Sequence, residues 1–324
     1  MLDGFGRKVD YLRLSVTSKC NLGCIYCVAS SNLCQVVKEG RANSPMTPVE
    51  IEKLSEIMGK LGIRKVRITG GEPLMRPDLE EIVGRIGRVA EIREIGMTTN
   101  GIGLEKRIGA LKQAGLKRVN ISLDSLDASN YARITRGGVL DEVLAAIDTA
   151  LQADLLSVRI NVVVMQGVND HEIDNFIEMI RVNPIDLRFI ELMPIGRGSC
   201  HRNEKKLLLN TAILNAHPDF QAIAGEQGSE PAAYYTIPGY RGRVGLISPI
   251  SHKFCARCNR IRVTYDGKIK TCLGDNTEVD FLSVLRNDPE RLEGFLREII
   301  LQKPASHHFE EAFNSNRTMA AIGG

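Results

Sequence analysis

Long apolar segments are missing from this sequence of 324 residues. No run of about 18 apolar residues occurs, which is the length that a membrane-spanning helix requires. The first ten residues, MLDGFGRKVD, also lack the apolar stretch of a secretory signal. We therefore expect a cytoplasmic protein that has no membrane partner.

A strong charge imbalance is absent as well. The 42 Lys and Arg residues exceed the 39 Asp and Glu residues by a formal charge of +3. Without a clustered basic patch, so small an excess argues against a nucleic-acid partner, but it permits polyanionic small molecules. There is no low-complexity tract and no internal sequence repeat. The content of 43% hydrophobic residues is that of a globular protein, and the length accommodates one large and one smaller domain.

Short β-rich runs alternate with helical patterns over the first two-thirds of the chain. One predicted helix is PVEIEKLSEIMGKLG (48–62), in which Pro48 suits the first turn and Gly62 the end. Strand–helix units in succession predict parallel strands joined by right-handed crossovers. The six predicted strands are YLRLSVT (11–17), KVRIT (65–69), EIGMTT (94–99), RVNISLD (118–124), LSVRINVVVM (156–165) and DLRFIELM (186–193).

Several of these strands alternate apolar and polar residues. A parallel strand that is covered on both faces should be almost continuously hydrophobic. Instead, Leu12 and Leu14 flank Arg13, and Arg159 precedes Ile160. Buried polar groups without partners cost roughly 1–3 kcal/mol each. The alternation therefore predicts a polar lumen that holds a large polar ligand, with a wet, purely structural interior as the alternative.

Six strand–helix units are fewer than the eight of a closed TIM barrel. We therefore predict an α/β fold with an incomplete (βα)6 TIM-type barrel over residues 5–220. After about residue 200 the pattern changes, and the segment AGEQGSEPAA (224–233) suits a domain boundary. A hairpin, NRIRVTYDGKIKTCL (259–273), with its turn at Asp266-Gly267, then two helices, predict a C-terminal α+β domain over residues 221–324.

Six of the eight cysteines form two groups of three. The first group is Cys20-x3-Cys24-x2-Cys27, and the second is Cys255-x2-Cys258-x13-Cys272. In a reducing compartment such cysteines are more often ligands than disulfides. The two cysteines outside the groups, Cys34 and Cys200, are expected to be ordinary free thiols.

Three thiolates suit either zinc or an iron–sulfur cluster. Zinc remains an alternative for the second group, because His252, His307 or His308 could supply a fourth ligand. The first group has no nearby histidine and fits a four-iron cluster that is bound at three corners. The fourth iron would then be open to a small molecule.

The first cysteine group directly follows the first strand and has Tyr26 before its third cysteine, and this arrangement resembles the radical S-adenosylmethionine superfamily. Further motifs are similar to those of the MoaA family, the GTP 3',8-cyclases of molybdenum cofactor biosynthesis. They occur in order along the chain, and they are ITGGEPLMR (68–76), TTNG (98–101), NISLDSLD (120–127), LRFIELMP (187–194), CARCNRIRV (255–263) and the final IGG.

The resemblance implies a lyase that converts GTP to 3',8-cyclo-7,8-dihydroguanosine 5'-triphosphate. It also implies two 4Fe-4S clusters, S-adenosylmethionine as cofactor, an unidentified electron donor and a homodimer. In the family, a 5'-deoxyadenosyl radical removes hydrogen from ribose C3', and the ribose radical attacks guanine C8.

The same resemblance implies roles for individual residues. Cluster 1 would be held by Cys20, Cys24 and Cys27, and cluster 2, which contacts the guanine, by Cys255, Cys258 and Cys272. S-adenosylmethionine would contact Tyr26, Gly71, Ser122 and Met193. GTP would contact Arg13, Arg67, Thr98, Arg159, Arg260 and Arg262. Arg260, Arg262, Gly323 and Gly324 would take part in catalysis, with the two glycines reaching into the active site.

Guanidinium groups suit a triphosphate, because they form charge-assisted, forked contacts with phosphate oxygens. For any single arginine the alternative is a salt bridge to a barrel carboxylate such as Glu191. The chain departs from the family in the segment after Cys27, which lacks the usual Met-Pro or Leu-Pro, and at Arg159, where lysine is common. Two other functions compete: a radical peptide maturase with an auxiliary cluster, and a non-catalytic metal-binding module.

Overall fold

The computed structural model describes residues 1–27, 45–195, 206–223, 230–309 and 315–323. Cys34, Cys200 and Gly324 lie outside these ranges, so the predictions for them are not addressed by the structure. Within the ranges, no helix has both the length and the apolar character needed to cross a membrane.

The strands are β1 (Tyr11–Ser15), β2 (Lys65–Thr69), β3 (Glu94–Thr99), β4 (Arg118–Ser122), β5 (Ser157–Val164), β6 (Ile185–Glu191), β7 (Gln221–Ala222), β8 (Ala232–Thr236), β9 (Arg243–Ile247), β10 (Arg260–Val263), β11 (Lys268–Lys270) and β12 (Val279–Asp280). The helices are α1 (Pro48–Lys60), α2 (Leu79–Gly87), α3 (Ile108–Gln113), α4 (Ala128–Thr135), α5 (Leu140–Gln152), α6 (Ile173–Met179), α7 (Asn210–Ala216), α8 (Leu282–Asn287), α9 (Leu292–Leu301) and α10 (Met319–Ile322).

The described strands form one sheet in the order β12-β11-β10-β1-β2-β3-β4-β5-β6-β9-β8-β7. The six predicted strands β1 to β6 are confirmed as parallel neighbours in chain order. Two further strands extend this parallel run, since β10 pairs with β1 and β9 pairs with β6. The incomplete α/β barrel is thus confirmed, although sequence reasoning did not foresee that later strands join its sheet. The domain boundary at residue 220 stays a prediction.

Local sequence signals explain where α1 begins and ends. The Thr47 side chain accepts a hydrogen bond from the Glu50 backbone N–H at 3.3 Å, and the Glu50 carboxylate accepts one from the Thr47 N–H at 2.8 Å. This capping box satisfies two N–H groups that the first turn leaves without partners. Pro48 occupies the first turn as predicted, and Gly62 follows the helix with φ +102°.

The alternation along the strands separates core from lumen. Leu12, Leu14 and Ile68 belong to the main hydrophobic cluster and have no exposed surface. The intervening Arg13 and Arg67 line a cavity on the other face of the sheet. A Cβ atom at Gly96 would lie 2.9 Å from the Arg67 guanidinium carbon, so glycine at this register position leaves room for that side chain.

The C-terminal hairpin has the predicted turn. Gly267 has φ +78°, a left-handed conformation that favours glycine, and its N–H donates to the Thr264 carbonyl at 3.0 Å. Strands β10 and β11 are antiparallel on either side, and α8 and α9 follow as the two predicted helices. The hairpin returns the chain so that Cys272 comes back towards Cys258.

Candidate active site

A cavity of about 360 Å³ opens on the inner face of the sheet, a volume typical of small-molecule sites. Its walls contain strand residues and the loops beyond both ends of the strands. The predicted site residues on its lining are Arg13, Cys20, Cys24, Tyr26, Cys27, Arg67, Gly71, Thr98, Ser122, Arg159, Met193, Cys255, Cys258, Arg260, Arg262 and Cys272.

The two cysteine groups lie at opposite ends of the parallel strands. Cys20 to Cys27 follow β1 and therefore lie beyond the carboxyl ends. Cys258 precedes β10, which runs parallel to β1, and therefore lies at the amino ends. Since β11 is antiparallel to β10, Cys272 after β11 lies at the same end as Cys258. The strand residues of the cavity wall lie between the two groups.

The first cysteine loop is docked on the end of α4. The N–H of Gly23 donates to the Thr135 carbonyl at 3.0 Å, and that of Ile25 donates to the Ile134 carbonyl at 2.9 Å. Burial raises the pKa of Cys20 to about 11 and that of Cys24 well above its ordinary value. Burial thus favours the neutral thiols, and ligation to iron would favour the thiolates instead.

Gly71 allows the end of β2 to pack on the segment that precedes Cys20. A Cβ atom at Gly71 would lie 2.2 Å from the Lys19 carbonyl oxygen. The next residue, Glu72, is buried and accepts hydrogen bonds from the Asn100 N–H and the Thr99 hydroxyl, both at 2.7 Å. Burial raises the pKa of Glu72 to about 7. The sequence motif GGEP thus packs closely on the segment before Cys20 and places a buried carboxyl group beside the first cysteines.

Tyr26 is fixed by a carboxylate at the end of β4. Its hydroxyl donates to Asp124 Oδ2 at 2.7 Å, and Asp124 Oδ1 accepts from the Val163 N–H at 2.8 Å. Burial raises the pKa of Asp124 to about 6, against the opposing effect of these hydrogen bonds. Ser122 lies two residues earlier, and Met193 follows β6, so both face the same end of the cavity.

Three guanidinium groups lie at one level of the sheet. Arg13 is in register with Arg262 on one side and with Arg67 on the other. Burial, together with the nearby Arg67, lowers the pKa of Arg13 to about 10, whereas Tyr11 opposes the shift. Arg67 donates to Asn120 Oδ1 at 2.6 Å and to the Tyr11 hydroxyl at 2.9 Å. Concentrated buried positive charge of this kind attracts an anionic ligand.

Arg159 forms salt bridges with nearby carboxylates, as the alternative interpretation predicted, but Glu191 is not among its partners. Its Nε atom lies 3.2 Å from Asp186, and its Nη2 atom lies 3.4 Å from Glu230. Glu191 instead accepts hydrogen bonds from the backbone N–H groups of residues 210, 250 and 251. Arg188, a cavity residue that was not predicted, also pairs with Glu230, at 3.0 Å.

The second cysteine group has basic neighbours. Burial would raise the pKa of Cys258, but Arg260 and Lys303 outweigh burial and lower it to about 6. Arg260 Nη2 lies 3.7 Å from the Cys258 sulfur. Lys303 is buried and donates to the carbonyl of Thr271, which precedes Cys272, at 2.6 Å. The donor set of three thiols fits an iron–sulfur cluster that is bound at three corners.

Gly323 lies against β1 and β2. It has φ +88°, and a Cβ atom there would lie 2.8 Å from Thr69 Cγ2 and 2.9 Å from Ser15 Cβ. Its carbonyl accepts a hydrogen bond from Arg262 Nη1 at 2.8 Å. Gly323 therefore contacts one of the predicted arginines, and its catalytic role stays a prediction.

Two polar atoms support a bound polar ligand. Thr98 Oγ1 and Asn161 Oδ1 belong to cavity residues, are buried, and have no hydrogen-bond partner among the described residues. Because buried polar groups usually have hydrogen-bond partners, a bound ligand is a natural candidate for the partner of each atom. In the ranges that the structure covers, no three His, Cys, Asp or Glu side chains converge as a single metal ion requires.

Sequence reasoning missed several residues of the cavity. Glu72 and Asp124 lie within motifs that were recognised, so their positions were available. Arg188 shares the inward-facing alternation of β6, which could have identified it. Glu230 precedes β8 and carries no pattern that could have pointed to it.

Comparisons with known proteins agree with this arrangement. Residues 14–180 match the family model described as the Radical SAM superfamily, and residues 185–309 match that of Molybdenum Cofactor Synthesis C. The GTP 3',8-cyclase of Alkaliphilus oremlandii (strain OhILAs) is 44% identical and covers 100% of both chains. That of Peptoclostridium acidaminophilum is 42% identical, covering 100% of this chain and 98% of the relative.

A solved structure shares the fold at much lower sequence identity. Streptococcus suis SuiB bound to S-adenosylmethionine aligns with a TM-score of 0.57 and 15% identity, over 97% of this chain and 75% of SuiB. At this identity the likeness concerns the fold alone.

Proposed function

This chain belongs to the GTP 3',8-cyclase family of radical S-adenosylmethionine enzymes, and from that premise we propose which of its residues carry the reaction. It is a lyase of molybdenum cofactor biosynthesis that converts GTP to 3',8-cyclo-7,8-dihydroguanosine 5'-triphosphate, using a 4Fe-4S cluster and S-adenosylmethionine. Neither a peptide maturase nor a non-catalytic metal-binding module accounts for relatives that match along the whole chain.

Cys20, Cys24 and Cys27 would hold the first cluster. When bound, this cluster supplies the electron for reductive cleavage of S-adenosylmethionine, which yields the radical that removes hydrogen from ribose C3'. Gly71, whose lack of a side chain lets the end of β2 pack on Lys19, would offer backbone groups to the amino acid part of the cofactor, while Tyr26, Ser122 and Met193 would position the rest. The support is their shared place at the carboxyl ends of the strands, where barrel enzymes place their reactive groups.

Arg13, Arg67, Arg159, Arg260 and Arg262 would bind the triphosphate of GTP, with Thr98 adding a hydroxyl. The support is that Arg13, Arg67 and Arg262 meet at one level of the sheet and that Thr98 Oγ1 lacks a partner in the described part of the chain. Forked guanidinium contacts would hold the phosphates without taking part in bond formation. Arg260, Arg262, Gly323 and Gly324 would position the ribose during the radical step.

Cys255, Cys258 and Cys272 would hold a second 4Fe-4S cluster with an iron open to the guanine base. The observation that carries this proposal is the placement of the two triads at opposite ends of the strands, with arginines between them. A nucleotide held in this way would present its ribose towards the first triad. A homodimer, a cytoplasmic location and a separate electron donor are further proposals that rest on the family.

The decisive experiment is anaerobic turnover of reconstituted enzyme with dithionite, S-adenosylmethionine and GTP that carries deuterium at C3'. We expect cyclised product together with 5'-deoxyadenosine that contains the deuterium. Formation of 5'-deoxyadenosine without consumption of GTP would sink the assignment of this site. Metal analysis tests the second cluster, since two clusters require about eight irons per chain. About four irons and one zinc would reject it.

A further inference from the structure

Glu230 places a carboxylate between two arginines of the cavity wall. Its Oε1 atom lies 3.4 Å from Arg159 Nη2, and its Oε2 atom lies 3.0 Å from Arg188 Nη2. The two arginine side chains are only 6% exposed, whereas that of Glu230 is 38% exposed. The carboxylate thus spans two buried guanidinium groups from the open side of the cavity.

Both arginines have a second support that does not involve Glu230. Arg159 Nε pairs with Asp186 at 3.2 Å, and Arg188 Nε donates to the Tyr234 hydroxyl at 2.7 Å. These partners come from β6 and β8, inside the sheet. The guanidinium groups can therefore keep their positions when the Glu230 carboxylate moves away.

The carboxylate is ionised when it lies between the arginines. Burial would raise the pKa of Glu230, but Arg159 and Arg188 outweigh burial and hold it below its ordinary value. A phosphate group that approaches Arg159 and Arg188 must compete with this anion for the same donors. Because Glu230 is tethered, its effective concentration at the arginines greatly exceeds that of a small free anion.

We propose that Glu230 is a specificity-determining residue that occupies the Arg159–Arg188 pair in the empty enzyme and yields it only to the polyphosphate of a nucleotide anchored elsewhere in the cavity. The inference rests on the proposed function, because it requires the phosphates of GTP to reach Arg159. A nucleotide with additional contacts can displace the carboxylate. Inorganic phosphate or pyrophosphate, which lacks those contacts, is kept out.

The chain offers a matched control outside the cavity. Glu52 on α1 also bridges two arginines, since it lies 2.6 Å from Arg85 and 3.0 Å from Arg88. None of these three residues lines the cavity. Glu52→Gln therefore removes a comparable pair of ion pairs without changing the proposed site.

The experiment measures binding of GTP and of inorganic pyrophosphate to the reconstituted enzyme by calorimetry, without reductant. Glu230→Gln should increase the affinity for GTP by about tenfold, because the phosphates no longer compete with a carboxylate that makes charge-assisted hydrogen bonds to the two arginines. The affinity of Glu230→Gln for pyrophosphate should increase by at least as much. Glu52→Gln should bind both ligands with the affinities of the parent enzyme. A melting curve for each variant checks folding, and Glu230→Ala replaces the glutamine variant if that one is unstable.

The outcomes separate this inference from the proposed function. If the parent enzyme binds no GTP, the proposed function fails and this inference fails with it. If the parent binds GTP but Glu230→Gln binds it equally well or more weakly, the inference alone is overturned. If Glu230→Gln bound GTP more tightly than the parent but bound pyrophosphate equally well, the proposed exclusion of small anions would be wrong.

Discussion

The two cysteine triads face one cavity from opposite ends, and the ionisable groups around them are of opposite kinds. Near the first triad lie two buried carboxyl groups, Glu72 and Asp124. Near the second lie two cationic side chains, Arg260 and Lys303. Burial raises the pKa of Cys20 to about 11, whereas the two cations lower that of Cys258 to about 6 despite burial.

This difference teaches that the number of cysteines alone does not determine what a cluster site binds. In the two proposed clusters, three thiolates would leave one iron without a protein ligand at either end, and the neighbouring ionisable groups would favour different ligands. Carboxyl groups suit the ammonium and sulfonium charges of S-adenosylmethionine, whereas cations suit an anionic nucleotide. The two ends of the cavity would thus sort cofactor from substrate by charge.

The largest expected effect comes from removing one ligand at each end. Cys24→Ala should abolish both 5'-deoxyadenosine and cyclised product, because electron delivery to the cofactor depends on the first cluster. Cys255→Ala should abolish cyclised product yet leave measurable 5'-deoxyadenosine, because the second triad is proposed to anchor substrate only. Both products are quantified by chromatography after anaerobic turnover.

Iron and sulfide analysis of both variants provides the control. Each variant should lose the iron of one cluster and keep that of the other. If Cys255→Ala gave the parent yield of cyclised product, the second triad could not hold the substrate, and the proposed division between the two ends would be wrong.

A smaller effect is expected from Arg7, which braces the second triad from the N-terminal segment. Arg7 is buried and pairs with Asp3 at 2.6 Å. It also donates to the carbonyl of Cys255 at 2.9 Å and to that of Ala305 at 2.8 Å. Supporting contacts of this kind typically change metal affinity or activity by about 10–100-fold. Arg7→Gln should therefore reduce cyclisation by about tenfold or more and lower the iron content, without suppressing 5'-deoxyadenosine.

Lys8→Gln is the matched control, because Lys8 is the exposed neighbour of Arg7. A variant that lacks the three cysteines of the first triad isolates the second cluster for electron paramagnetic resonance. In that background Arg7→Gln should broaden or weaken the cluster signal, and Lys8→Gln should not. If Arg7→Gln left both the signal and the rate of cyclisation unaltered, the hydrogen bonds of Arg7 would not be needed to support the second triad.

Much of the fold could be predicted from sequence, because the information is local. Alternation along each strand identified the outward Leu12 and Leu14 and the inward Arg13. The Asp266-Gly267 turn required only the residues of the hairpin itself. Pro48 and Gly62 marked α1 in the same way. Each of these signals lies within a few residues of the feature that it determines.

The rest of the site depends on contacts between distant segments. Arg7 meets Cys255 across 248 positions, and Arg159 meets Glu230 across 71. No local pattern encodes such pairs, since they follow from how the completed sheet brings its loops together. The pairing of β10 with β1 was missed for the same reason. Spacing alone identified the cysteines, and the resemblance to a family supplied the roles of most of the arginines. Neither pointed to Asp186 and Glu230, the carboxylates that pair with Arg159.

The smallest expected effect distinguishes two neighbouring threonines of β3. Thr98 Oγ1 lacks a hydrogen-bond partner in the described ranges, whereas the Thr99 hydroxyl donates to Glu72 at 2.7 Å and accepts from the Gly101 N–H at 3.0 Å. Thr98→Val should therefore not lower the free energy of unfolding, because no protein hydrogen bond is lost. It should lower the affinity for GTP by about fivefold, because one hydrogen bond to the ligand is lost.

Thr99→Val serves as the control at the adjacent position of β3. It should lower the free energy of unfolding by about 1–3 kcal/mol, because it leaves buried partners unsatisfied. Calorimetric titration with GTP and chemical denaturation measure the two effects. Equal GTP affinity in Thr98→Val and in the parent would mean that this hydroxyl faces no substrate. Because Thr98 is in register with Asn120, which is in register with Arg159, that result would also weaken the assignment of GTP to this part of the cavity wall.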